Sequence, residues 1–362
     1  MRIVISGYYG FGNAGDEASL RGIVGGLRAR DPEVQVAAIS ADPQRTRAEH
    51  GIEAVFRGDM AGVVRAVAGA DLVLSGGGSL LQDSTSRRSL LYYLGVIALA
   101  RYLRVPVAVY AQGVGPLEEP ADRVLTRWAL SRVQCIAVRD EESRAELLSL
   151  GVAGVAVEVT ADAALALAPP DPGRGRTLLL RQGLGEGPWA GLALRPWPGG
   201  ERWKRELAAF ADALQERLGL RVVYLPFQDP GDVWACREVA SLQERPGRVL
   251  GVTGGAVDLL DVVAALDLLV GVRLHSLIFA AMGAVPFLGL SYDPKVDRFL
   301  RSVGRRAVSP LADADAAALE AAAREVLGRR EEIGAELGAR RGELRQLALK
   351  TATLALAAGR RP

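Results

Sequence analysis

Short runs that are apolar at every position alternate along this chain with longer segments whose apolar residues recur at helical spacing. Strands are expected over residues 3–6, 34–40, 72–75, 105–110, 136–138 and 155–160, with helices from about Asp16 and near Ala61. Runs lacking in-and-out alternation mark strands covered on both faces, and strands separated by helices mark βαβ units of a parallel sheet. The stretch APPDPGRGR over 168–176 carries three prolines and two glycines, which predicts a break in regular structure and a linker. Beyond it the alternation restarts, with strands over 192–194, 222–225, 268–270 and 285–290, a helix over 202–218 and another near Trp234. The fold class is α/β, with two Rossmann-like doubly wound domains. The expected division is 1–168, a linker over 169–176, a second domain over 177–345, and a helix over 346–362 returning to the first domain. The amphipathic tail over 316–358 supplies that helix.

Composition narrows the function classes. Lys and Arg (44) barely exceed Asp and Glu (42), so charge balance points to neither a nucleic-acid nor a membrane partner. The two cysteines, Cys135 and Cys236, lie in different halves, which excludes a disulfide framework and a zinc knuckle. No His/Cys/carboxylate cluster has ligand spacing, so no metal is expected. The opening MRIVIS leads directly into a strand rather than the apolar core of a signal peptide, and a cytoplasmic location is expected. The longest apolar stretch, over 90–103, is interrupted by Tyr92, Tyr93, Gly95 and Arg101; it reads as a buried helix, being short of a membrane span. The basic residues Arg101 and Arg104 at its end read either as a solvated helix end or as a contact for acidic lipid.

The candidate chemistry lies where strands end. Gly10-Phe11-Gly12-Asn13-Ala14-Gly15 fits the dinucleotide pattern GxGxxG, but it begins three residues beyond Gly7. Asp16 and Glu17 follow in the first helical turn, where they would repel a pyrophosphate. Structural glycines with acids on the helix dipole are one reading. The other makes Asn13, Asp16 and Glu17 hydrogen-bond partners of a hydroxyl-rich ligand. Ser75-Gly76-Gly77-Gly78-Ser79, with Gln82 and Asp83, and Gln112-Gly113-Val114-Gly115-Pro116 place glycines and amides at two further strand ends, where open α/β sheets bind ligands. Gly77, Gly78, Gln82, Asp83 and Gln112 are therefore acceptor-side candidates.

Cations recur at the same kind of position. Arg139 follows the strand over 136–138, Arg273 and His275 cross from strand to helix, Lys295 ends the next strand unit, and Arg195 follows another. Guanidinium forks bind phosphate and carboxylate in bidentate fashion, so these residues predict a small, strongly anionic donor held in a cleft between the domains. Of the two histidines, His50 reads as an exposed helix end, leaving His275 as the chemical candidate.

With these residues placed, the chain resembles the bacterial polysaccharide pyruvyl transferases, and most closely the CsaB type that modifies secondary cell-wall polymer. The resemblance runs through SGYYGFGNAGDEA from Ser6, SGGGSLLQD from Ser75, AQGVGP from Ala111, VRD from Val138, TAD from Thr160, RLHSLIFAA from Arg273 and SYDPKVDRF from Ser291. It implies a glycosyltransferase-B-like pair of domains, phosphoenolpyruvate as donor, and a 4,6-pyruvyl ketal as product. The implied acceptor is N-acetylmannosamine in a lipid-linked precursor at the inner membrane face, the ketal later helping S-layer proteins anchor. No cofactor is implied beyond phosphoenolpyruvate as co-substrate. The family's donor residues carry over to Arg139, Arg273 and His275, with Lys295 and Arg195 as further donor-side cations. His275, Asp16 and Glu17 are the catalytic candidates, for proton donation and for activating the sugar hydroxyls. A nucleotide-sugar glycosyltransferase of the same fold is the alternative.

Overall fold

A computed structural model describes residues 1–251 and 255–360. The last two residues of the expected return helix and three of the expected second domain lie outside the described residues. The chain divides into two compact units, one of Met1–Phe11, Asp16–Leu167 and Glu343–Pro362, the other of Gly12–Gly15 and Ala168–Gly342.

The first unit alternates strands and helices in the order β1 (Arg2–Ser6), α1 (Ala14–Arg28), β2 (Gln35–Ser40), α2 (Pro43–His50), β3 (Glu53–Phe56), α3 (Met60–Ala68), β4 (Leu72–Ser75), β5 (Gly78–Leu81), α4 (Arg87–Tyr102), β6 (Val107–Val114), α5 (Pro120–Leu130), β7 (Cys135–Val138), α6 (Glu141–Ser149) and β8 (Val157–Val159). All strand pairs are parallel, in the order β3-β2-β1-β4-β6-β7-β8, with short β5 paired to the far end of β6. Successive side chains leave opposite faces of a strand, so Ile3 and Ile5 enter one core with Leu20, Ile23 and Ala352. Val4 enters the other, with Val63, Leu94 and Leu130. Helices α3 to α6 cover that second face.

The second unit contains α7 (Pro172–Arg181), β9 (Trp189–Ala193), α8 (Arg202–Leu218), β10 (Arg221–Tyr224), α9 (Gly231–Ser241), β11 (Arg248–Val249), α10 (Ala256–Ala264), β12 (Leu268–Gly271), α11 (Leu274–Gly283), β13 (Phe287–Ser291), α12 (Pro294–Ser302), β14 (Ala307–Pro310) and α13 (Ala316–Gly328). Its parallel sheet runs β11-β10-β9-β12-β13-β14. Renumbered from one, that is 3-2-1-4-5-6, the doubly wound order whose switch point lies between the first and fourth strands. The final helix α14 (Arg330–Gly359) begins in the second unit and ends in the first.

The expected break over 168–176 is corrected by α7. Pro172 occupies the first helical turn, where a missing N–H costs nothing, and Asp171 caps it by accepting from the Gly173 and Arg174 amides at 2.9 and 3.1 Å. Gly175 is needed inside this helix because a Cβ there would lie 1.9 Å from the Asp261 carbonyl oxygen of α10. The tail likewise divides near Arg329 into α13 and α14, and Asp315 caps α13 through the Ala318 amide at 2.8 Å. Among the described residues, no helix is long and apolar enough to cross a membrane.

Candidate active site

In the first unit the switch point lies between β1 and β4, which brings the loop after Ser6 beside the glycines after Ser75. Gly7 and Gly76 make room for the Tyr9 side chain. A Cβ on Gly7 would lie 2.3 Å from the buried Tyr9 ring, and one on Gly76 would lie 2.2 Å from the Tyr9 hydroxyl. Burial, with Asp16 and Glu17 nearby, raises the Tyr9 pKa well above the usual phenol value. Gly77 packs against Ser19 and Ala163, and Gly78 adopts a φ of 97° with its open side toward Asp16 Oδ1, 3.0 Å from the position a Cβ would take. Asp16 and Gly78 are thus neighbours at this edge.

The remaining acceptor-side candidates brace the same edge. Gln112 is fully buried in β6, and its Nε2 donates to Ser75 Oγ at 2.8 Å and to the Gly76 carbonyl at 2.7 Å. It ties β4 to β6 where the chain steps across to β5. Asp83 accepts from the Glu118 and Glu119 amides at 2.8 and 2.9 Å, ordering the turn before α5. Gln82 closes its own loop by accepting from Ser84 Oγ and the Thr85 amide. Tyr8 stacks on Phe11 with centroids 4.1 Å apart, and the Arg57 guanidinium lies 5.0 Å from the Phe11 ring.

Glu17 points inward. Its Oε1 accepts from the Gly10 amide at 2.8 Å, and its Oε2 lies 2.8 Å from His50 Nε2. The exposed reading of His50 is therefore corrected: the imidazole is buried where α2 ends, because the αL glycine Gly51 turns the chain there. Glu17, Glu49 and His50 place ligand-type atoms within 4.8 Å of one another, a grouping that spacing along the chain did not reveal. Hydrogen bonds already occupy these atoms, since Arg45 Nε reaches Glu49 Oε1 at 2.7 Å. His50→Ala leaves the buried Glu17 oxygen without its partner, so urea unfolding should show a loss of about 2 kcal/mol. An exposed histidine would change stability by less than about 0.5 kcal/mol.

Arg139, at the end of β7, is only 7% exposed. Its guanidinium meets Asp162 Oδ2 at 3.2 Å, Ser79 Oγ at 2.9 Å and Asp140 Oδ2 at 3.6 Å. Gly113 lacks a side chain where a Cβ would lie 2.5 Å from that guanidinium. Arg139 is thus a buried node joining β5, β6, β7 and the turn after β8.

In the second unit, Gly12–Gly15 joins the carboxyl edge of the sheet. The Ala14 amide donates to the Phe227 carbonyl at 2.8 Å, and Asn13 bridges Gln228 in an isolated β-pair. Asn13 Oδ1 also accepts from the Gly15 amide at 2.9 Å. A Cβ on Gly15 would fall 2.1 Å from His275 Nδ1, so the glycine fixes how closely this turn approaches the imidazole. His275 sits half-buried in the first turn of α11, immediately beyond the switch-point strand β12.

Arg273 occupies the N-cap position of that helix, its side chain turned to other partners. Its Nε donates to Asp232 Oδ2 at 2.9 Å, its Nη2 to Asp232 Oδ1, and Nη2 also to Gln228 Oε1 at 3.2 Å. Asp232 is 0% exposed and takes the Phe227 and Gln228 amides as well. Burial raises the Asp232 pKa, while Arg273 and those amides pull it down. This is a fork-to-carboxylate pair that fixes the guanidinium plane while leaving the arginine 16% exposed.

Lys295 Nζ pairs with Asp293 Oδ2 at 3.1 Å and lies 5.2 Å from the Tyr292 ring. Arg195 covers the same ring at 4.2 Å, and Trp197 meets it edge-on at 5.7 Å. Arg195, Arg273 and the Tyr292–Lys295 turn follow β9, β12 and β13, which are adjacent in the sheet. Neighbouring strands are about 4.8 Å apart, so this edge presents several cations across the span of one small polyanion.

Sequence reasoning missed Asp232 and Gln228, and named Tyr9 and Tyr292 only within motifs. Asp232 and Gln228 carried a usable signal, being polar residues close behind the strand that ends at Tyr224.

A profile of the family described as polysaccharide pyruvyl transferase matches residues 13–294. No curated protein sequence matches the chain closely enough to count as a relative. Among solved structures, UDP-GlcNAc 2-epimerase from Neisseria meningitidis, bound to UDP-GlcNAc, is 12% identical with a TM-score of 0.67, over 99% of this chain and 100% of that one. The S. aureus MnaA–UDP structure is 13% identical with a TM-score of 0.66, over 97% and 94%. Anabaena Alr3699/HepE with UDP and glucose is 13% identical with a TM-score of 0.62, over 99% and 98%. At such identities the likeness shows the fold alone, a glycosyltransferase-B-like pair of Rossmann-type halves. The family match carries the chemistry, and by it this chain belongs to the polysaccharide pyruvyl transferases and is a transferase enzyme.

Proposed function

We propose that this enzyme takes its pyruvyl group from phosphoenolpyruvate and places it as a 4,6-ketal on N-acetylmannosamine within a lipid-linked cell-wall precursor. The observation that supports this donor is the set of cations Arg195, Arg273 and Lys295, with His275, at the carboxyl ends of three adjacent strands. The donor carries a phosphate and a carboxylate on one three-carbon frame, and such a row of cations neutralises both. The N-terminus of α11 adds amide donors and a favourable dipole for the phosphate.

The reaction adds a proton to the methylene carbon, which becomes the ketal methyl. The carbon that bore the phosphate then takes one sugar oxygen, loses the C–O bond to phosphate, and takes the second oxygen. Of the two hydroxyl protons, one balances the new methyl hydrogen and the other leaves on inorganic phosphate. Arg273 and Lys295 hold the anions, Arg195 closes over Tyr292 beside them, and His275 donates the proton or grips the phosphate. Asp16 is the base for a sugar hydroxyl, with Asn13 and Gly78 on the acceptor side. Glu17, Gln112, Asp83, Gln82 and Arg139 serve by holding the loops. No cofactor enters the scheme, and the work is done in the cytoplasm on an acceptor at the inner membrane face.

The test measures phosphate released from phosphoenolpyruvate with and without a synthetic lipid-linked N-acetylmannosamine disaccharide, with mass spectrometry of the sugar. Acceptor-dependent phosphate and the mass gain of a pyruvyl ketal are expected. Release of UDP from a nucleotide sugar, with phosphoenolpyruvate inert, would overturn the donor assignment and favour glycosyl transfer.

A further inference from the structure

The exposed apolar side chains of this protein are unevenly placed. Of the eleven large hydrophobic residues exposed among the described residues, eight lie on α3 to α6, which cover one face of the first sheet. They are densest on the α4–α5 pair: Leu91 and Tyr102 on α4, and Val124, Leu125 and Trp128 on α5. Leu91, Gly95, Ala98 and Tyr102 follow helical spacing along the outer side of α4, opposite Leu90, Leu94, Ile97 and Ala100 in the core. Tyr102 is 84% and Trp128 53% exposed, although both large side chains lie beside a well-packed core.

The charge on these two helices is predominantly positive, although Arg123 pairs with Glu146 of α6 at 3.0 Å and Glu119 stands at the start of α5. Residues 87–104 and 120–132 contain seven arginines, Arg87, Arg88, Arg101, Arg104, Arg123, Arg127 and Arg132, and one carboxylate, Asp122. Asp122 is fully buried and held by Arg87 Nε at 2.9 Å, so it presents no charge outward. The guanidinium of Arg101 lies 4.5 Å from the Trp128 ring while donating to the Trp128 and Ala129 carbonyls, which fixes the indole at the surface. Burial, with repulsion from Arg132, lowers the Arg101 pKa.

We propose that α4 and α5 dock this enzyme on an anionic lipid bilayer, with Tyr102 and Trp128 at the headgroup level, Leu91, Val124 and Leu125 entering the interface, and the arginines meeting acidic headgroups. Amphipathic aromatic rings settle at that depth, and basic residues nearby add electrostatic attraction. An acidic protein partner would satisfy the arginines but would leave the interfacial pattern of tyrosine, tryptophan and aliphatic residues without a purpose. The proposal stands on the surface of the first unit and does not depend on the donor assignment. Near-neutral total charge hides this face because carboxylates elsewhere in the first unit, Glu141, Glu142 and Glu146 of α6 among them, balance its arginines.

Co-sedimentation of the full chain with vesicles tests it, comparing phosphatidylcholine alone with phosphatidylcholine containing about 30% phosphatidylglycerol at about 0.1 M salt. Binding to the anionic vesicles and not to the neutral ones is expected. Arg104→Glu with Arg132→Glu should weaken that binding by about 30-fold or more, and Trp128→Ala should weaken it several-fold. Trp234→Ala, which removes an exposed tryptophan of the second unit, should bind as the wild type does. Turnover on a short water-soluble acceptor should be the same in all four proteins, which shows the variants folded and separates this test from that of the reaction. Equal binding by the wild type and the arginine variant would overturn the proposal. So would a dimer in light scattering that Trp128→Ala dissolves, since the strip would then be an interface between two copies.

Discussion

His275→Ala should lower ketal formation by roughly 100- to 10,000-fold, the range for loss of a positioned proton donor or acceptor. The imidazole is half-buried in the first turn of α11, and Gly15 keeps the neighbouring turn close to its Nδ1. His275→Gln distinguishes the two roles. Glutamine can donate a hydrogen bond to phosphate but cannot deliver a proton, so a loss in kcat at unchanged KM assigns proton donation. A raised KM with kcat largely kept assigns phosphate binding. Gly15→Ala provides an independent approach, because the added methyl needs space the imidazole occupies and should reduce turnover without touching His275 chemically. Wild-type turnover in His275→Ala would remove this residue from the mechanism.

Arg273→Gln should raise the donor KM by about 100-fold or more, as expected when a charge-assisted contact to a buried anion is lost. The same change should destabilise the protein by about 3 kcal/mol at pH 7, because it strands the Asp232 carboxylate in a dry site. The pH dependence has a definite sign. Asp232 has a folded pKa above its ordinary range, so the folded state binds its proton more readily than the unfolded chain. Its contribution is most favourable below the unfolded pKa and is lost as pH rises through the folded one. Removing Arg273, a group that holds the value down, extends that loss to higher pH. The stability deficit of Arg273→Gln relative to wild type should therefore shrink as pH falls from 7 toward 5, measured by urea unfolding at each pH. Arg273→Gln with Asp232→Asn should regain most of the stability and none of the donor affinity. A deficit flat with pH would show that Asp232 keeps its charge without Arg273.

Both predictions turn on residues of unequal legibility. Arg273 and His275 were visible because an apolar run ending at Val270 and a helix beginning nearby must place the intervening residues at the carboxyl edge of a parallel sheet. That inference is local and needs no knowledge of what lies across the sheet. Asp232 was invisible as a partner because it stands 41 residues away, and only the β10–β9–β12 order brings its loop to Arg273. His50 shows the same limit: among charged neighbours in sequence, it is buried because Glu17, 33 residues away, comes from a helix on the same side of the sheet. The glycines were the least legible. Gly7, Gly76, Gly113 and Gly15 are spaces for Tyr9, Arg139 and His275, and a missing side chain does not announce whether ligand or protein fills it.

The sequence by itself thus determined most element types, though not α7, together with the parallel sheets, the two halves and the strand ends that carry charge, since each follows from short-range periodicity and chain connectivity. The family, too, could be read from the order of short motifs. The tertiary structure alone decided which charged groups are buried against a partner and which remain partly exposed at a sheet edge. That choice depends on desolvation, which is set by atoms distant in sequence. It separated Arg139, buried among Asp162, Asp140 and Ser79, from Arg273, fixed by Asp232 yet still partly exposed.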